Sequence, residues 1–159
     1  MTADTYQVGG THYIAKYQHW DFVLDCNLPY LEGNATRYLT RLGKKDNTRL
    51  DIEKALHYTA KLEGRVAAGF YPTLRPPRRW VVDCVKRFVA ANNLSGEVHA
   101  ITRYLATWDT VHDIQVARRL TLKLLEAFDA DRAQKSIPDA KPVPLEDSNK
   151  YAPRAGASE

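Results

Sequence analysis

Sulfur is scarce in this chain: it has two cysteines, Cys26 and Cys84, and one methionine. The cysteines form no CxxC pair, and no paired histidine lies at ligand spacing, which argues against a zinc or redox centre. Each stands among apolar residues, Cys26 near Leu24 and Cys84 beside Val82 and Val85. Buried, reduced thiols in a reducing, cytoplasmic setting are expected. No run approaches the roughly 18 apolar residues of a membrane span. The start, MTADTYQVGGTHY, lacks a basic stretch followed by an apolar one, so a signal peptide is not expected. There is no GxxxxGK[ST], which excludes an ordinary P-loop. No ExxE is paired with an ExxD, which speaks against an all-α pyrophosphatase, and no Ser/His/Asp or Cys/His arrangement has supporting context.

What is present is enough for a real core. The chain has 159 residues, the length of one domain or of two small ones sharing a core, with 44% hydrophobic and 26% charged residues. The net charge of +4 and isoelectric point near 9.1 favour anionic partners weakly.

Apolar spacing reads as helix throughout. Residues 20–27 form a first short helix that must end before Pro29. Glu32-Gly33-Asn34 opens a second, with Ala35, Tyr38, Leu39 and Leu42 on one stripe and Gly43 as its stop. A third covers 49–68, where Ile52, Ala55, Thr59, Leu62 and Val66 step by three and four as a packing seam. The segment 69–77, GFYPTLRPP, breaks the pattern. Further helices follow at 78–92, about 97–108 and about 113–130. The composition then shifts to Pro, Ala, Ser, Lys and Asp without periodicity, and a flexible tail over 133–159 is expected.

The two halves align with each other. Residues 22–39 match 88–105 at an offset of 66, with eight identities in eighteen positions, among them Phe22/Phe88, Asn27/Asn93, Arg37/Arg103 and Tyr38/Tyr104. After a four-residue deletion the offset is 62, and Asp51, Ile52, Ala55, Thr59, Lys61 and Leu62 recur at 113, 114, 117, 121, 123 and 124. Chance matching of amphipathic helices preserves the period, not the residues. The fold expected is therefore all-α, with two internally duplicated three-helix units packed on each other. The first occupies residues 1–69, a linker 70–77, the degenerate second copy 78–132 and the tail 133–159. The copies differ where polar chemistry would sit, since Gly33-Asn34 aligns with His99-Ala100 and the Gly43-Lys44-Lys45 turn is shortened. The first unit is thus expected to be the functional one.

Residues 31–58 gather six basic side chains, Arg37, Arg41, Lys44, Lys45, Arg49 and Lys54, against Asp46, Asp51 and Glu53. Arg37 and Arg41 lie four apart, hence on one face of a helix. Asn34 is placed to cap that helix or to bind a base or phosphate near its positive end. Gly9 and Gly10 allow close backbone approach beside Thr11, His12 and Tyr13, as a ligand loop or as a plain turn. Tyr13, Trp20 and Tyr38 suit base stacking, although such rings are more often core. A second basic cluster, Arg75, Arg78, Arg79, Lys86 and Arg87, is interleaved with Tyr71 and Trp80. It is the best nucleic-acid surface in the chain, with solvated arginines at a helix start as the plainer explanation.

The order GGTHY, Trp20-Asp21, LEGNATRYLTRLGKK, then Asp51, Lys54, Ala55 and Tyr58 as D-x-x-K-A-x-x-Y, resembles a small phage domain family often called SaV-like. That family includes the podovirus nucleotide kinase. The likeness spans about Val8–Lys61, and it departs from the family pattern in lacking a proline after Lys16. The resemblance implies transfer of a phosphoryl group from a nucleoside triphosphate to a deoxynucleoside monophosphate, with Mg2+, in the host cytoplasm.

Because phosphoryl transfer is mostly positioning and charge neutralisation, the catalytic candidates are Arg37, Arg41, Lys44 and Lys45. The nucleotide-binding candidates are Gly9, Gly10, Thr11, His12, Tyr13, Asn34, Tyr38 and Lys54. The metal-holding candidates are Glu32 and Asp51, which can equally be helix-start acids that favour the dipole. The alternative is a non-enzymatic phage protein that binds a host protein or nucleic acid through its basic surface. A homo-oligomer is also expected of small helical units with apolar seams.

Overall fold

The computed structural model describes residues 15–44, 47–70 and 75–135. It is all-α, with six helices and no strand among the described residues: α1 (His19–Asp25), α2 (Tyr30–Thr40), α3 (Thr48–Ala67), α4 (Arg78–Asn92), α5 (Gly96–Thr107) and α6 (Val111–Lys135). No helix among them is long and apolar enough to cross a membrane.

The helix ends follow local chemistry. α1 and α4 finish alike: Asn27 and Asn93 take positive φ, 45° and 54°. The next residues reach back, Leu28 N–H to Val23 O at 2.9 Å and Leu94 N–H to Val89 O at 3.0 Å. Asparagine tolerates this left-handed turn better than other residues with a Cβ. α3 is capped by Asn47, whose Oδ1 accepts from Leu50 N–H at 3.0 Å.

Two boundaries differ from the sequence reading. α2 begins at Tyr30, because Pro29 fits its N-cap position without needing a donor. Asn34 therefore lies inside the helix and does not cap it; its Nδ2 donates to Tyr30 O at 2.8 Å. α6 runs to Lys135, past the expected tail start at Ala133, with an ion pair from Lys135 to Asp131 at 2.6 Å in its last turn. Cations there also offset the helix dipole. The rest of the expected tail lies outside the described residues.

The expected seam of α3 is buried throughout: Ile52, Ala55, Thr59, Leu62 and Val66. On α6, Ile114, Ala117 and Thr121 are buried, whereas Leu124 and Phe128 are half-buried. Of these, Ala55, Leu62, Val66, Ile114 and Ala117 join Ala35, Leu39, Ile101, Leu105 and Trp108 in one apolar cluster between α2, α3, α5 and α6, with Leu124 packed against it. A second cluster, with Phe22, Cys26, Val81, Cys84, Val85 and Phe88, lies between α1 and α4. Both cysteines are buried and unbridged, and burial pushes the Cys26 thiol pKa up.

Helices aligned by the sequence repeat are the ones that pack across the halves: α1 against α4, α2 against α5 and α3 against α6. Like faces therefore meet like faces, the pattern that a two-fold arrangement of equivalent units requires.

Candidate functional site

α2 turns two stripes in opposite directions. Ala35 and Leu39 go to the core, while Tyr30, Gly33, Asn34 and Arg37, spaced by three and four, go to a cleft against α1. α1 contributes His19, Trp20, Val23 and Leu24 to the other wall. The cleft holds about 580 Å³, within the roughly 300–1,000 Å³ typical of small-molecule sites. Its floor is apolar and its rim carries two exposed rings, Trp20 at 43% and Tyr30 at 72%. Arg37 supplies positive charge.

His19 sits in the wall. Its ring packs edge-on to Phe22 and Phe88, with centroids 6.4 and 5.9 Å away. Its Nε2 lies 3.0 Å from Thr36 Oγ1. Burial, and secondarily the Arg37 charge, push its pKa down to about 4, so the ring is neutral near pH 7. Burial disfavours the charged imidazolium, and a like charge adds to that. The sequence reading selected His12 and missed His19. A signal was there: carrying the offset of 66 three residues back from the matched stretch sets His19 opposite Val85, a core position.

Of the candidate residues, the fold brings Asn34 and Arg37 into this cleft. Arg41, Tyr38 and Lys54 form a separate group on the α2–α3 face. Arg41 grips Asp51 with two hydrogen bonds, Nε to Oδ2 at 2.7 Å and Nη2 to Oδ1. Its guanidinium and the Lys54 ammonium lie over the Tyr38 ring, at 4.7 and 5.3 Å, and Tyr38 stacks on Tyr58 at 5.8 Å. Arg37 connects the two groups electrostatically, since its charge bears on both His19 and Tyr58. Lys44 borders a different depression of about 390 Å³, with Thr40, Asn92 and Asn93. Gly9, Gly10, Thr11, His12, Tyr13 and Lys45 lie outside the described residues.

Glu32 and Asp51 do not fit a Mg2+ site. The Glu32 side chain is 1% exposed; its Oε1 accepts from Arg75 Nη2 at 3.0 Å and Trp108 Nε1 at 3.1 Å. Asp51 is 2% exposed and held by Arg41. Each carboxylate is already charge-balanced by an arginine within the fold. Among the described residues no three metal-ligating side chains cluster.

The second basic cluster is also largely engaged. Arg75 bonds Glu32 and lies over the Trp108 ring at 4.1 Å. Arg78 pairs with Asp109, Lys86 with Asp83 at 3.6 Å and Arg87 with Asp25 at 3.7 Å.

α4 and α5 form a second cleft of about 440 Å³. Six of its lining residues, Lys86, Val89, Ala90, Leu94, Ser95 and His99, stand 66 positions after lining residues of the first cleft. The aligned chemistry differs: Lys86 and His99 line the second cleft where Trp20 and Gly33 line the first, and Val85 and Ala100, outside its lining, align with His19 and Asn34. Comparison of the chain with family models, with curated proteins and with solved structures gives no match.

Proposed function

We propose that the chain is a nucleotide-binding protein of the phosphoryl-transfer type, with the α1–α2 cleft as its nucleotide site. One observation carries this reading: exposed aromatic faces, a neutral imidazole, an amide and the Arg37 cation meet in one cleft of nucleotide size. A base needs a ring face to stack on, and phosphate needs fixed cations. The reaction itself, transfer from a nucleoside triphosphate to a deoxynucleoside monophosphate in a phage-infected cytoplasm, rests on the sequence resemblance. Mg2+ would then arrive on the triphosphate, which together with water commonly supplies most of its ligands. Arg37 neutralises phosphate charge in the cleft in this proposal. Lys44, outside the cleft beside Thr40 and Asn92, is a second cation candidate from its place in the basic stretch alone, and Arg41 holds the helix pair through Asp51.

The test is calorimetric titration with deoxynucleoside monophosphates and triphosphates, followed by a transfer assay. Arg37→Ala combined with Lys44→Ala should abolish transfer and leave helicity intact. Full activity in that double variant would sink the assignment. Nucleotide binding without turnover, or salt-sensitive DNA binding without nucleotide binding, would favour the non-enzymatic reading. That rival draws less support, because most of its arginines and lysines already have acidic partners.

A further inference from the structure

Resting on that reading, we infer that the cleft takes a nucleotide in one direction, nucleoside against Trp20 and His19 and phosphate at Arg37, with His19 Nδ1 accepting a hydrogen bond from the nucleoside. The direction follows from counting protons. The Thr36 hydroxyl has one proton, and it is directed to backbone carbonyls, Glu32 O at 2.9 Å and Gly33 O at 3.1 Å. With the proton on a carbonyl, the hydroxyl accepts from His19 Nε2 at 3.0 Å, and the Gly33 backbone hydrogen bond, which raises the His19 pKa, likewise treats the ring as a donor. The Nε2–H tautomer is therefore the one assigned, and in it the neutral ring has its lone pair at Nδ1.

An acceptor of this kind repels phosphate oxygens, which are also acceptors. It suits an N–H or O–H of a base or sugar. Phosphate is drawn to Arg37 on the α2 wall, and the half-exposed Trp20 indole adjoins His19 in sequence and offers a face for the base. His19 is not needed as a general base, since a phosphate monoester with a second pKa near 6 is already mostly dianionic at neutral pH. Its role is recognition. Valine and lysine stand at the positions aligned with His19 and Trp20, and the imidazole of the second cleft is His99, at the Gly33 position.

NMR titration of the full chain with the four deoxynucleosides, their 5′-monophosphates and inorganic phosphate tests this. His19→Gln keeps a donor for Thr36 and loses the Nδ1 acceptor. It should weaken the best-bound nucleoside and its monophosphate by the same factor, about 5–15-fold, and leave inorganic phosphate unchanged. Arg37→Ala should do the reverse, weakening monophosphate and inorganic phosphate and sparing the nucleoside. If His19→Gln fails to fold, the more exposed Trp20→Ala reads the same arm, with a loss of about 5–50-fold for nucleoside and monophosphate alike.

An unchanged nucleoside affinity in His19→Gln and Trp20→Ala, or an equal loss of inorganic phosphate binding, overturns the assigned direction while leaving nucleotide binding standing. Wild-type protein that binds neither nucleosides nor nucleotides overturns both.

Discussion

Phe22 and Phe88 stack face to face, with centroids 4.1 Å apart and planes 5° from parallel. They are the same position in the two halves, 66 residues apart, and both are fully buried. In a two-fold arrangement of like units, residues near the axis meet their own counterparts, and the α1–α4 contact through this pair is of that kind. Phe22→Ala and Phe88→Ala should each cost about 3–5 kcal/mol. The double variant should cost less than the sum, because the pair interaction is lost only once. Urea unfolding of the four proteins measures this, and strict additivity would show that the stack is incidental.

Arg75→Ala should be more damaging at pH 8 than at pH 5. Burial raises the Glu32 pKa above 4.5, and Arg75, with the Trp108 N–H, opposes that rise. An acid whose folded pKa is raised binds more protons folded than unfolded, so stability falls as pH rises from 4.5 through the folded value. Removing Arg75 lifts that value further and steepens the loss. At neutral pH the cost should be at least about 3 kcal/mol, since a buried carboxylate loses its charge partner. Equal destabilisation at both pH values would contradict the pairing.

The His19 pKa gives a dependence of opposite sign. Its value falls from 6.5 to about 4 in the fold, so its neutral form is favoured there. The associated stability is present in full above pH 6.5 and lost as pH drops toward 4, about 3 kcal/mol at most. The ring faces Arg37, Thr36, the Gly33 backbone, Phe22 and Phe88, and among these only Arg37 carries charge. His19→Gln should therefore lose less stability than wild type between pH 7 and pH 4.5, read by urea titration at each pH. A His19 proton resonance titrating near 6.5 would refute the neutral state.

The helical framework was legible in the chain because core spacing is a local property. The α3 seam and the span of α4 match the structure, since steps of three and four leave little choice of face. Contacts between distant residues were not legible. Glu32 reads as a helix-start acid, and its partners Arg75 and Trp108 stand 43 and 76 residues away. Arg75 likewise reads as part of a basic surface until Glu32 appears beside it. His19 belongs to no motif, and only the repeat, which pairs it with Val85, marks it as a polar group in a core position.

Arg37 and Arg41 look interchangeable on a helical wheel, and the structure separates them. Arg37 is exposed at the cleft, whereas the Arg41 side chain is 14% exposed and forks onto a nearly buried Asp51. Arg41→Ala leaves that carboxylate buried without its cation and should cost about 3–5 kcal/mol. Arg37→Ala changes an exposed position and should cost less stability than Arg41→Ala. Nucleotide affinity should respond in the opposite sense. Arg37→Ala loses at least about tenfold, as removal of one charge-assisted phosphate contact implies, while Arg41→Ala, assayed well below its melting temperature, retains most binding. Thermal unfolding and nucleotide titration on the two variants check both halves. If Arg41→Ala loses binding without losing stability, the phosphate site extends to the α2–α3 face, and Arg41 belongs with Arg37 after all.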